Sequence, residues 1–195
     1  MNQVQGNNKS LTIDEVKAVL ADLEQRGRRS VNTRMNNIIF RLATSCGLRA
    51  SEIANVRICD IKLGDSARVH VHEGKGKKSS DVTIPDNGTI VALAQHHQMR
   101  KTDGASGKDT LLVKTNGKSF DRNEIAKRYK SAIRILPEER RSIISVHWGR
   151  HTAATRMLDN GHTLATVKEF LRHSNIQTTS VYLHGKEITP TDMWD

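Results

Sequence analysis

The apolar residues of this chain repeat at one period, switch to another, and switch back. Met35, Ile38, Ile39, Leu42 and Cys46 recur at helical spacing, and the glycine of "CGL", Gly47, closes that run. Val69 and Val71 then alternate with His70 and His72 in "ARVHVHE", and Val82 and Ile84 alternate in "DVTIP" until Pro85 stops them. Helical spacing returns near 88–101. Two alternating runs joined by the glycine-rich turn "GKGKKSS" predict a small antiparallel sheet set among helices. "DIKL" adds a short first strand ahead of the turn at Gly64-Asp65.

The remaining segments fit the same plan. Thr12 and Glu15 form a capping box, Ile13, Val16, Leu20 and Leu23 follow as a stripe, and Gly27 ends the helix. A short third helix starts at Ser51. Asp121 and Glu124 open another helix, with Ile125, Tyr129, Ala132, Ile133 and Leu136 as its inner face. "PEERRS" reads as a charged loop, and 148–160 as a helix ending at Gly161. Thr163 caps the next helix, with Leu164, Val167 and Leu171 inward, and Asn175 caps a last short one that carries Tyr182. No internal repeat appears. A chain of 195 residues can bury one sizeable core. Aromatic residues are only 4%, so that core is mainly aliphatic, which suits packed helices. The expected fold is α+β and mainly α-helical: a single domain of packed helices with a small antiparallel β-sheet. Residues 1–10 form a flexible N-terminal segment, 11–185 the domain, and 186–195 a C-terminal tail.

Charge narrows the partner. Thirty-one lysines and arginines against 21 acids leave a net charge of +10. That excess favours a polyanion, with nucleic acid ahead of an anionic membrane and a merely basic protein as the plain alternative. No run of about 18 apolar residues exists, and "MNQVQGNNKS" lacks an apolar signal core. Two cysteines are too few for a disulfide framework, so a reducing cytoplasm fits.

Four places hold groups able to do chemistry. They are "CGLRASEI" with Arg49, "EGKGKK" with Lys75, "VHWGRH" with His147 and Arg150, and "LRHSNIQTTSVYLHG" with His173 and Tyr182. Each falls at the end of an element, where functional groups tend to be placed. Two arginines, a lysine and two histidines offer many donors to one phosphate, and the planar guanidinium binds two oxygens at once. A phosphodiester under attack gains charge on its non-bridging oxygens, which fixed donors stabilise. A tyrosine hydroxyl can be the nucleophile, and a lysine on a hairpin can protonate the leaving 5′ oxygen.

Each feature taken singly has an ordinary reading. An arginine after a glycine is a surface residue, and "GKGKK" is a solvated turn. His147 with His151 has the spacing of a metal pair, yet no acidic or cysteine partner stands at a fitting distance in sequence, so no metal site is expected. His70 and His72 share an exposed strand face, and His96 and His97 are solvated helix residues. Tyr129, Trp148 and Cys46 belong to the core.

Taken in order, these segments resemble the tyrosine recombinases of the phage-integrase family. That family carries "GLR-x-SE", "GKG-x-K", "H-x-x-R-H" and "LGH" boxes followed by a tyrosine. Here they read "GLRASE", "GKGKK", "HWGRH", "LRH" and "TTSVYLH", over about residues 10 to 185. The gaps also match, 23 residues from Arg150 to His173 and nine from His173 to Tyr182. The resemblance implies that Arg49 and Arg150 clamp a scissile phosphate, that His147 and His173 bond to it, and that Lys75 is the general acid. Tyr182 would be the nucleophile that forms a 3′-phosphotyrosine link, with Glu52 supporting the arginine. Lys77, Lys78, His151 and Arg172 are candidate DNA contacts. No metal, nucleotide or other cofactor is required. The implied partners are double-stranded DNA and further copies of the chain on it, as a dimer or tetramer, with no membrane. The implied setting is the cytoplasm of a bacterium or archaeon, or a phage or mobile element.

Two positions depart from the family's pattern. Arg172 stands where glycine is usual, at a helix end that wants positive φ, so it strains the turn or adds a DNA contact. Gly149 replaces a common leucine. The chain has no room for the separate DNA-clamping domain of many members, so an isolated catalytic domain or a short member that flips promoter segments is expected. A type IB topoisomerase-like nicking enzyme shares the chemistry, and a non-catalytic DNA-binding regulator shares the fold. A phosphomonoesterase would not need Tyr182.

Overall fold

A computed structural model describes residues 10–72 and 79–172 of the chain. Lys75, Lys77, Lys78, His173, Tyr182 and the cap expected at Asn175 lie outside the described residues.

Helix α1 (Ile13–Gly27) begins at the expected capping box: Thr12 Oγ1 accepts the Glu15 N–H at 3.2 Å, and the Glu15 carboxylate accepts the Thr12 N–H at 2.8 Å. Its buried apolar face is Val19 and Leu23, while Ile13, expected to be inward, is exposed. Helix α2 (Val31–Thr44) runs through the middle of the molecule. Ile39, Phe40, Leu42 and Ala43 are fully buried, and Met35 and Ile38 nearly so. Side chains of this size each contribute roughly 1.5–3 kcal/mol when removed from water. Gly47 takes φ +63° just after α2, and the Leu48 N–H turns back to the Leu42 carbonyl at 3.0 Å. A Cβ at Gly47 would also stand 2.7 Å from Leu171 Cδ2, so the turn needs glycine for space as well as conformation.

Helix α3 (Ala50–Asn55) follows, and then the sheet: β1 (Ile61–Lys62), β2 (Arg68–Val71) and β3 (Ser80–Thr83), antiparallel in the order β1-β2-β3. The register places Ile61 opposite Val69 and Val69 opposite Val82, so the alternating valines face the core as the period-2 pattern requires. Their outward neighbours are not merely solvated. His70 Nδ1 lies 2.7 Å from Asp81 across the β2–β3 pair, and His72 Nε2 lies 2.8 Å from the buried Asp60.

Helix α4 (Asn87–Thr102) is capped by Asp86, whose carboxylate accepts the Thr89 N–H at 2.7 Å. His96 on this helix is buried rather than solvated, and its Nε2 lies 3.0 Å from the Leu111 carbonyl. Helix α5 (Arg122–Ala132) buries Ile125, Tyr129 and Ala132, with Ile133 buried just beyond. "PEERRS" is not a loop: Glu138–Ile143 is a one-and-a-half-turn helix, α6. Arg140 on α6 reaches Glu15 of α1 with Nε–Oε1 at 2.6 Å, tying that short helix to the core. Helix α7 (Val146–Asp159) starts two residues earlier than expected, which puts His147 inside its first turn. Helix α8 (Leu164–Leu171), capped by Thr163, packs against α7. No described helix is long and apolar enough to cross a membrane. Cys46 sits in the core, where burial pushes its thiol up to about 12.

Candidate active site

Three segments distant in sequence meet at one carboxylate. Glu52 is the third residue of α3, and its side chain reaches back to the start of its own helix. Oε2 accepts the Arg49 N–H at 2.7 Å, and Oε1 accepts from the Arg49 guanidinium at 2.6 Å. This is the carboxylate half of a capping box, made here by the acid of "LRASE". From the other side, Arg172 Nη2 donates to Oε2 at 2.7 Å, and Arg150 Nη1 stands 3.9 Å from the same oxygen. Three guanidiniums around one carboxylate leave the corner cationic. Burial alone would push the Glu52 carboxyl up, but Arg172, the Arg49 N–H, and the charges of Arg49 and Arg150 outweigh it, and the net direction is down.

Arg150 is 2% exposed, and its placement follows from two helix ends. Nη1 donates to the Gly47 carbonyl at 2.5 Å, and Nη2 donates to the Leu171 carbonyl. Those oxygens belong to the turn after α2 and the last turn of α8, where helical carbonyls have no partner in their own helix. The negative end of each helix dipole also favours a cation there. Arg49 is far more accessible than Arg150, with 38% of its side chain exposed.

His147 faces the same corner. Its basicity is lowered by burial first, then by Arg150 and by Arg49, so the ring favours the neutral form. Its Nε2 lies 3.0 Å from Nε2 of His151, one turn further along α7, so one ring donates and the other accepts. Trp148 stacks at 4.6 Å from the His151 ring and packs against the core. Among the described residues no group of three metal-ligating side chains occurs.

The two departures from the expected motifs have visible causes. Arg172 takes φ 55° and ψ 42°, the left-handed conformation that ends α8, and is the sole non-glycine residue with positive φ among those described. Its side chain is 7% exposed and turned onto Glu52 rather than outward. Gly149 lies against Tyr129: a Cβ there would sit 2.8 Å from the Tyr129 hydroxyl and 3.1 Å from Ala43 Cβ.

The structure thus joins Arg49, Glu52, His147, Arg150 and Arg172, with His151 beside His147. The carbonyls of Gly47 and Leu171 were not anticipated, since backbone acceptors carry no residue signature. The pairing of Arg172 with Glu52 was also missed. Its one signal was an arginine at a position that wants glycine.

The sequence profile of the phage integrase family matches residues 9–187. The chain belongs to that family. It is 29% identical over 182 residues to tyrosine recombinase XerA of Thermococcus onnurineus, covering 89% of this chain and 57% of that protein. It is 30% identical over 191 residues to tyrosine recombinase XerD of Halalkalibacterium halodurans, covering 96% and 60%. The crystal structure of XerA recombinase superposes with a TM-score of 0.73 at 26% identity, covering 91% of this chain and 61% of that one. XerH site-specific recombinase, solved bound to its difH substrate, shares the fold with a TM-score of 0.73 at 21% identity, covering 90% and 50%. The chain therefore spans roughly half to three fifths of the length of these relatives.

Proposed function

We propose that the chain is the catalytic part of a tyrosine-type site-specific DNA recombinase. Arg49 and Arg150 hold the non-bridging oxygens of a scissile phosphate, and the neutral ring of His147, together with His173, adds hydrogen bonds. The Tyr182 hydroxyl attacks phosphorus and gives up its proton to solvent as the new O–P bond forms. The P–O5′ bond breaks, a 3′-phosphotyrosine forms, and Lys75 gives a proton to the leaving 5′ oxygen. Rejoining is the reverse attack by a 5′-hydroxyl, so one phosphodiester is exchanged for another and no external energy source is needed. Lys77, Lys78 and His151 are suited to backbone contacts, and copies of the chain assemble on double-stranded DNA as a dimer or tetramer.

The observation that carries this reading is the cationic corner around Glu52, where a carboxylate holds guanidiniums in place without occupying the exposed side of Arg49. Phosphate is the ligand such fixed donors suit.

A duplex with a nick beside the cleavage position tests it. Loss of the short leaving strand traps the covalent intermediate, which appears on a denaturing gel as a protein–DNA adduct. Wild-type protein is expected to give adduct and Tyr182→Phe none, with equal gel shifts for both. Adduct from the Phe variant, or none from wild type on any recombination-site DNA, would reject the proposal.

A further inference from the structure

We propose that Arg172 is a positioning residue that fixes the Glu52 carboxylate, and through it Arg49, and that it makes no DNA phosphate contact of its own. Glu52 Oε2 has two close partners, the Arg49 N–H and Arg172 Nη2, both at 2.7 Å. Arg150 at 3.9 Å is too far to hydrogen-bond that oxygen. Without Arg172 the carboxylate loses one of the two close bonds to Oε2. Arg49 depends on Glu52 at two atoms, its N–H and its guanidinium, so a shift of the carboxylate carries Arg49 with it.

The backbone supports the same reading. A glycine would adopt the left-handed turn at 172 without strain, whereas arginine does not. An arginine kept at a strained position and turned inward is held there by what it contacts, here the Glu52 carboxylate. A third guanidinium also strengthens the field at the phosphate corner without being spent on the ligand.

The kinetic part of the test rests on the recombinase reading, and the exchange part does not. Arg172→Gly relieves the turn and removes the guanidinium, and Arg172→Asn keeps a side chain that tolerates the left-handed region. In both variants, amide hydrogen exchange at Arg49 should rise about tenfold or more, because its N–H is bonded to Glu52, while core amides of α2 stay unchanged. Single-turnover adduct formation at saturating protein should fall about tenfold or more. DNA affinity should stay within about twofold, and the log–log salt slope should not change. Unchanged exchange at Arg49 in both variants overturns the proposal. So does a slope reduced by about 0.9, one phosphate's worth, with the saturated rate intact, which would make Arg172 a DNA ligand. If wild type yields no adduct, the recombinase reading fails, and the exchange result alone decides the role of Arg172.

Discussion

The Tyr129 hydroxyl occupies the space that a side chain at position 149 would need: a Cβ on Gly149 would lie 2.8 Å from that oxygen. The tyrosine is fully buried, its ring stacks on Phe40 at 5.7 Å, and its hydroxyl has no hydrogen-bond partner among the described residues. Glycine in a helix interior and an unpaired buried hydroxyl are each unfavourable alone, and here each accounts for the other.

Gly149→Ala should therefore destabilise the fold. Overpacking costs roughly 1–3 kcal/mol, and the better helix propensity of alanine returns about 1 kcal/mol of that. Tyr129→Phe should be neutral or stabilising by about 1 kcal/mol, because it removes an unsatisfied polar atom. In the Phe background the alanine penalty should shrink. Urea denaturation of the two single variants and the double variant checks this, and strictly additive effects would disprove the coupling. Burial also raises the Tyr129 phenol strongly, so it is not a nucleophile, and Tyr129→Phe should form adduct like wild type.

Glu52→Gln tests the carboxylate at the centre of the arginines. The folded carboxyl is held below its ordinary value of 4.5 by Arg172, Arg49 and Arg150 against the upward push of burial. A depressed carboxyl contributes stability that is present above the ordinary value and is lost as pH falls through the folded one. At neutral pH the Gln variant should lose about 3 kcal/mol, as for breaking a buried pair. The gap to wild type should narrow below pH 4.5. Denaturation curves from pH 3 to 7 measure it, and a gap independent of pH would contradict it.

His147 should titrate below its ordinary value of 6.5. Its folded form takes up a proton less readily than the unfolded chain, so it reduces stability as pH falls below that value. The ring resonance followed by NMR gives the midpoint directly. His147→Gln should flatten the stability profile between the folded and unfolded values while leaving stability above pH 7 unchanged.

Lys75→Ala should slow adduct formation more than it weakens DNA binding, because the proton it is proposed to supply is needed only in the transition state. A substrate with sulfur at the 5′-bridging position leaves without that proton and should restore the rate. A mutant that stays slow on the sulfur substrate would move the acid to Lys77 or Lys78.

Features with a local cause were legible in the sequence. The α2 stripe and the alternating valines at 69, 71 and 82 face the core because periodicity dictates which side is apolar. The capping box at Thr12 and the helix start at Asp121 stand because in each the cap and an acid are three residues apart. Helix α6 was not legible: it buries no residue, and its ties to the fold, among them the Arg140–Glu15 pair and Lys130 on the Ser142 carbonyl, have no signature in a short charged segment. His96 was misread for a similar reason, since the carbonyl that accommodates it, Leu111, lies in a distant loop. At the site, Arg49, His147 and Arg150 were found through a family pattern. Arg172 showed only as an exception, because its partner Glu52 is 120 residues away.

The grip of Arg150 on the Gly47 and Leu171 carbonyls means that the placement of this guanidinium cannot precede the tertiary structure. A nascent or partly unfolded chain in which α8 has not yet docked lacks one of the two anchors that aim this guanidinium. On the recombinase reading proposed above, cutting of DNA waits for α8 to dock. The same coupling makes Arg150 a poor place to seek an inert but intact protein. Alanine there would undo the helix ends together with the chemistry, and a clean separation of the two has to be sought at a group that anchors nothing.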